Sequence, residues 1–398
     1  MITFQRRTIL RAAALAPLFS PALTRAQSGD AIRIGVLIPL TGSTSQFGSA
    51  MALAAKTATE EINAAGGIRG RKVDLIVEDD QSNPEVGLRA ARKLIDVDKV
   101  IAIAGTYASS VTAAVAPLCW ENKTVLMTAS GADSITKLPH QGYIFRTAPP
   151  APQYIARGTG LAKELGAKRV FWLGPQTPFA QTHIDGVTGA FGAAGAGLIY
   201  EDKKTSYRTE VDQALKFKPD AIILGGYAPD TLVAVKDLYR ANYKGHRIGY
   251  FFGVNQTLLD GLPVDVSEGL YALSPTAAVT SPVYKRLVSK MKLESVDSYS
   301  CQLYDDLNLI ALALASAPAS APANGETVRD RIRAVTQDAS GKPVDSAAEG
   351  LKLLAAGTRI NYDGASGALE FETNGENRAN LFKFDQVRAG KLVTVKIA

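Results

Sequence analysis

Only two cysteines, three histidines and two tryptophans occur in the 398 residues of this chain. Each scarcity removes a class of chemistry. His140, His183 and His246 stand in no HExxH or comparable spacing, so each reads as a surface or packing residue and no metal centre is implied. Cys119 and Cys301 are linked by no small loop or metal-ligand spacing; they either pair or remain buried thiols. No GxGxxG or Walker-type loop follows an apolar run. Asp79-Asp80 lacks the glycine and downstream glutamate of a calcium loop. Gly364-Ala365-Ser366-Gly367-Ala368 misses the last glycine of a nucleophile elbow and reads as a turn. No cofactor and no enzymatic activity are expected.

Long apolar runs are also missing. Arg6-Arg7-Thr8-Ile9-Leu10 precedes a short apolar stretch, Ala12 to Leu23, broken by Pro17 and Pro21. A membrane span needs about 20 apolar residues, so this reads as a signal peptide, cleaved after Ala26, and the arginine pair suggests twin-arginine export. With Cys119 the first cysteine, no lipid anchor is expected at the cut. The net charge of +6 shrinks once Arg6, Arg7, Arg11 and Arg25 leave with residues 1–26, 6 − 4 = +2. The remaining Lys and Arg are scattered among Asp and Glu, which removes the main support for nucleic-acid binding.

What is present is alternation. Ile34, Val36 and Ile38 belong to a near-continuous apolar run closed by Pro39, as in a parallel strand covered on both faces. A polar loop, Thr41-Gly42-Ser43-Thr44-Ser45, leads into a helix with Met51, Leu53, Ala54, Ala58 and Ile62 on one stripe, ended by Gly66-Gly67. Strands follow at 73–77, 100–104 and 124–128, with helices from Asn83-Pro84 to Ile95 and over 109–120. Residues 143–147 run into Ala148-Pro149-Pro150-Ala151-Pro152, a proline-rich crossing. A second α/β series occupies 153–273, Ser274-Pro275 suggests a return, and a long helix spans 301–317. From about Tyr362 the chain crosses again and ends in a hairpin around Arg388-Ala389-Gly390. Chain length also calls for two domains of roughly 150 to 200 residues.

The stretches P-L-T-G-S-T-S-Q-F-G, E-E-I-N-A-A-G-G-I-R-G-R-K and V-E-D-D-Q-S-N-P-E resemble the branched-chain amino-acid type of periplasmic solute-binding protein of ABC transporters. Tyr304-Asp305-Asp306-Leu307-Asn308-Leu309 and Arg359 to Arg378 resemble its last long helix and C-terminal signature. The resemblance implies an α/β, two-lobed, type I fold, with parallel sheets flanked by helices and a three-strand hinge. After the signal peptide, residues 27–148 and 275–361 would form the first lobe, 149–274 the second, and 362–398 the last crossing and the second lobe's C-terminal strands. The implied partners are a small-molecule ligand, an amino acid or related carboxylate or amide, and an ABC permease in the inner membrane. Nucleic acid is not implied, and the chain reads as a periplasmic monomer. A ligand-sensing module for a signalling partner is the alternative, though the chain ends at Ala398 without an output domain; a hydrolase on a similar frame would need a constellation that is absent.

Within that frame, Gly105-Thr106-Tyr107-Ala108-Ser109-Ser110 opens a helix after a buried strand, where N–H groups favour an anion. By resemblance Ser109 grips the ligand carboxylate, with Ser110 beside it; alternatively Ser109 is a helix cap. In Ala129-Ser130-Gly131-Ala132-Asp133-Ser134, Ala132 or Asp133 stands where the family usually has a threonine, and Asp133 either meets the ligand or caps a turn. By resemblance Phe47 matches an aromatic cover, a purpose Tyr107 could also serve, with Phe47 alternatively a hydrophobic staple. From the second lobe, Phe179 matches a closing tyrosine, and Tyr227 ends a strand facing the cleft, with ordinary packing the alternative for both. Gly253-Val254-Asn255-Gln256 offers Asn255 where relatives that bind amino acids place a glutamate for the ammonium. A buried ammonium without a carboxylate is costly, which leaves small carboxylates, aromatic acids and amides open unless Asp133 substitutes.

Overall fold

A computed structural model of the chain describes residues 31–378 and 381–398; the expected signal peptide at 1–26 lies outside them. Strands β1 (Ile32–Ile38), β2 (Val73–Asp79), β3 (Ala102–Gly105), β4 (Val125–Thr128) and β5 (Ile144–Arg146) form a parallel sheet in the order β2-β1-β3-β4-β5. Val36 faces Val77 on one side and Ala104 on the other. Because side chains alternate across a strand, Ile34, Val36 and Ile38 enter one core and Leu37 the other. Helices Gly48–Ala64 and Ser298–Ser316 cover the first face, Pro84–Arg92 and Ser109–Glu121 the second. Burial on both faces accounts for the unbroken apolar runs, each Val, Leu or Ile side chain contributing roughly 1.5–3 kcal/mol.

The second unit repeats the pattern with β6 (Val170–Pro175), β7 (Gly195–Tyr200), β8 (Ala221–Leu224), β9 (His246–Tyr250) and β10 (Tyr271–Pro275). A small sheet, β11 (Lys342–Val344), β12 (Ile360–Gly364) and β13 (Gly367–Ala368), stays with the first unit's helices. Then β14 (Phe382–Arg388) and β15 (Lys391–Ile397) pair antiparallel and extend the second sheet, β15-β14-β10-β9-β8-β6-β7. Ala389 and Gly390 between them have φ of 50° and 74°, the two left-handed residues of a type I′ hairpin. Three passages join the units: Thr147–Pro150 after β5, the segment after β10, and the segment between β13 and β14. Helices Pro282–Met291 and Ala347–Ala355 have no counterpart in the sequence expectation, although Ser281 and Ser346 cap them through Tyr284 N and Glu349 N.

Helix Ser298–Ser316 is buried from Ser298 to Leu314 and carries a carboxylate at its centre. Asp305 accepts bonds from Tyr362 Oη at 2.8 Å, Ala365 N at 2.9 Å, Ser366 N at 2.8 Å and Ser366 Oγ at 2.5 Å. These bonds stabilise its charge, yet burial outweighs them and pushes its carboxyl up to about 6. Both cysteines are buried free thiols, and burial pushes Cys119 up to about 12.

Asp80, just past β2, is fully buried; Oδ1 accepts from Ser82 N at 2.7 Å while Oδ2 has no protein partner. Burial, with repulsion from Asp79 added, pushes its carboxyl up to about 6 against the Ser82 bond. The folded value lies above that of an unfolded aspartate, so its stabilising contribution is complete below about pH 4 and lost as pH rises through 6. Asp80→Asn keeps the bond to Ser82 and removes the charge. Unfolding at pH 7.5 should show it more stable than wild type by about 2 kcal/mol, the gain shrinking toward pH 4; a pH-independent difference would refute this assignment.

Candidate functional site

Parallel sheets present their strand ends on one edge, and the loops leaving β1, β3, β4, β6, β8 and β9 meet where the two units face each other. The cavity there is lined by Tyr107, Ser109, Ala129 and Gly131 with Tyr299 from the first unit. From the second come Tyr154, Thr177, Phe179, Gly225, Tyr227 and Phe252. Six rings line it and no ionisable carboxylate, lysine, arginine or histidine does.

The rings are joined edge to face. Tyr107 and Tyr299 are 4.8 Å apart at 84°, and Tyr154 and Phe179 are 5.6 Å apart at 74°. Tyr154 Oη and Tyr299 Oη lie 3.1 Å apart, a hydroxyl bond across the units. Burial raises the phenols of Tyr107, Tyr154 and Tyr227, so all remain neutral donors. Gln46 Nε2 donates to Phe252 O at 3.3 Å, and Gly131 O accepts from Ala151 N at 2.6 Å. A Cβ on Gly131 would fall 2.8 Å from the Phe179 ring, so that approach needs glycine.

Ser109 is buried in the lining as the first residue of its helix. The cap position is held by Ala108, which has no side-chain acceptor, so the first-turn N–H groups have no capping partner at the cavity. Ser110 follows in that turn, half-buried and outside the lining. Tyr107, Phe179 and Tyr227 line the cavity. Phe47 stands one layer back, with ring centroids 5.0 Å from Tyr107, 5.1 Å from Tyr299 and 5.9 Å from Phe251 of the other unit.

Three expected positions turn elsewhere. Ala132 is buried on the outer face of the first sheet, and its carbonyl accepts from Arg146 Nη1 at 2.6 Å. Asp133 forms an ion pair with Lys137 one helical turn on. Asn255 caps helix Gln256–Asp260: Oδ1 accepts from Leu258 N at 3.2 Å and Nδ2 donates to Phe251 O at 3.1 Å, which occupies both ends of the amide. Conversely Tyr154, Thr177, Phe252 and Tyr299 enter the cavity without having been singled out. Their one sequence signal is position: Phe252 closes the apolar run after His246, and Tyr154 follows the prolines of the first crossing.

Arg146, the last residue of β5, is wholly buried. Besides Ala132 O, it donates to Thr136 Oγ1 at 3.2 Å and to Glu376 Oε1 at 2.5 Å, while its backbone N–H meets Gly375 O at 2.8 Å. Burial lowers its pKa against the pull of Glu376 and Asp133, and it stays cationic. One guanidinium thus fixes the β4 loop to the first and third passages. Among the described residues, no group of three or more His, Cys, Asp or Glu side chains is placed to hold a metal ion.

Two α/β units joined by three passages, with an uncharged cavity between their strand ends, define a cleft receptor for a small ligand. The chain belongs to the periplasmic binding protein family, whose model matches residues 31–359. A leucine-, isoleucine-, valine-, threonine- and alanine-binding protein of Pseudomonas aeruginosa is 27% identical over 323 residues, covering 78% of this chain and 84% of that one. A leucine-binding protein from Thermotoga maritima superposes with a TM-score of 0.77 at 22% identity, over 92% of this chain and 98% of its own. A solute-binding protein of an ABC transporter from Rhodopseudomonas palustris HaA2, solved with p-hydroxybenzoic acid, does so with 0.74 at 20% identity, over 93% and 97%. The fold is the type I periplasmic binding protein fold, and the chain is a periplasmic binding component; neighbours in that fold include solute-binding proteins of ABC transporters.

Because Asp133 is paired with Lys137 rather than set in the lining, Asp133→Asn should shift ligand affinity by less than about twofold, as expected for a pair outside the cavity whose lysine is exposed. Loss of binding in calorimetry would instead put the carboxylate at the ligand.

Proposed function

We propose that the cleft takes a small aromatic carboxylate. The observation that carries this reading is the lining itself: six rings surround the cavity while no acidic side chain is there to meet an ammonium. A planar ring gains apolar burial and edge-to-face contacts against Tyr107, Tyr154, Phe179, Tyr227, Phe252 and Tyr299. Its carboxylate sits at the helix start of Ser109, where Ser109 Oγ and the uncapped N–H groups of the first turn donate. An aliphatic amino acid would bury its ammonium against neutral phenols and carbonyls, which is costly without a carboxylate partner. The relative from Rhodopseudomonas palustris solved with p-hydroxybenzoic acid shares this frame.

The rest of the reading follows from transport. The protein is exported by a signal peptide at residues 1–26 with Arg6-Arg7 directing the twin-arginine route. It works as a monomer, and its lobes, 27–148 with 275–361 and 149–274 with 362–398, close on the ligand before docking on the permease. It performs no catalysis: Ser366, in the one motif that approaches a nucleophile elbow, spends its Oγ on Asp305.

Thermal-shift and calorimetric titration of mature protein with benzoate, 4-hydroxybenzoate, leucine and phenylalanine tests the ligand class. An aromatic acid should stabilise and leucine should be silent; the reverse pattern overturns the proposal. Ser109→Ala should weaken benzoate binding roughly tenfold, the worth of one hydrogen bond to a charged group, without moving the unliganded melting temperature. Unchanged affinity would remove Ser109 from the carboxylate site.

A further inference from the structure

Behind the cavity wall in the second unit lie three buried polar atoms with no hydrogen-bond partner in the protein: Trp172 Nε1, His183 Nε2 and Tyr250 Oη. They are neighbours, with ring centroids 5.9 Å apart for Trp172 and His183 and 5.2 Å for His183 and Tyr250. Buried polar groups are nearly always paired, so such a cluster calls for a partner.

The chemistry of that partner is set by the two rings. His183 Nδ1 lies 2.8 Å from Phe179 O; a carbonyl accepts only, so Nδ1 carries the proton and Nε2 is a bare acceptor. Burial lowers this imidazole to about 3, against the Phe179 bond, and the ring stays neutral. Trp172 Nε1 donates only. A hydroxyl, donating to Nε2 and accepting from Nε1, complements the pair. A cation has no lone pair to offer the indole, and an anion has no proton to offer Nε2.

The niche adjoins the ligand cavity. Phe179, a lining residue, covers His183 with ring centroids 4.0 Å apart. Tyr154 and Phe252, also in the lining, stand 5.5 and 5.2 Å from Tyr250. A Cβ on Gly225, another lining residue, would fall 3.0 Å from Trp172 Nε1. The Phe179 ring and the Gly225 backbone lie between the cavity and these atoms.

We propose that Trp172 Nε1 and His183 Nε2, with Tyr250 Oη as third partner, form a subsite for a ring hydroxyl of the ligand, opened by rotation of Phe179. The inference rests on the aromatic-carboxylate reading and narrows it to hydroxylated ring acids, held at Ser109 by the carboxylate and at Trp172 and His183 by the remote hydroxyl.

Calorimetric titration of benzoate and 4-hydroxybenzoate into wild type and Trp172→Phe tests it. Wild type should bind 4-hydroxybenzoate about tenfold more tightly than benzoate, and the ratio of affinities should fall toward one in Trp172→Phe. Tyr250→Phe, which keeps the ring, provides a second variant with the same expected fall, and the unliganded melting temperature of each reports whether it folds. Equal wild-type affinities, or a preference that survives Trp172→Phe, would overturn the subsite and leave the aromatic-acid reading standing. Failure of both acids to bind would overturn the two together.

Discussion

Arg146 carries a charge that water does not reach, and the loop after β4 and the third passage behind the cleft supply it with acceptors. The acceptors of its guanidinium come from the β4 loop, through Ala132 O and Thr136 Oγ1, and from the third passage, through Glu376, while Gly375 O accepts from its backbone N–H. Breaking a buried pair of this kind leaves the surviving charge uncompensated, at a cost of roughly 3–5 kcal/mol. The loop behind Ala129 and Gly131 therefore holds a fixed position relative to the hinge. That rigidity lets backbone at Gly131 come close enough to Phe179 that a methyl group would collide.

Across the cleft the two units touch through weaker, more numerous contacts. Phe47 meets Phe251, Gln46 meets Phe252, and Tyr299 meets Tyr154 across the cleft. Each aromatic pair contributes on the order of 1 kcal/mol beyond its buried area. In the proposed closing motion, a ligand would favour the closed arrangement by the contacts it makes to both units at once, since binding one unit alone favours neither state. The cavity suits this use: Ser109 and Tyr107 lie on one side, Phe179, Tyr227 and Phe252 on the other.

Much of the frame was legible in the chain itself. Alternating apolar runs and capped helices marked β1 to β10 because a parallel sheet buried on both faces leaves continuous hydrophobic segments. Asn83 was readable as a cap because its side chain bonds locally, to Glu85 N and Val86 N. Ser109 and Phe179 were singled out by the family resemblance, and Tyr107 and Tyr227 stood beside them on loops at strand ends, where ligands of doubly wound sheets bind. Tyr154 and Tyr299 were missed because they reach the cavity from helices, and nothing in their immediate neighbours says which face of a helix meets the other unit.

The sequence by itself thus determined the alternation of strands and helices, the two units and the scarcity of catalytic side chains, all of which rest on local periodicity and residue identity. Tertiary structure alone decided that Ala132 turns toward Arg146, that Asp133 pairs with Lys137 and that Asn255 spends its amide on a helix cap. It also decided that Trp172 Nε1 and His183 Nε2 lie near each other without hydrogen-bond partners in the protein. A polar side chain becomes available to a ligand only when every nearer donor and acceptor has been assigned, and those neighbours come from segments far away in the chain.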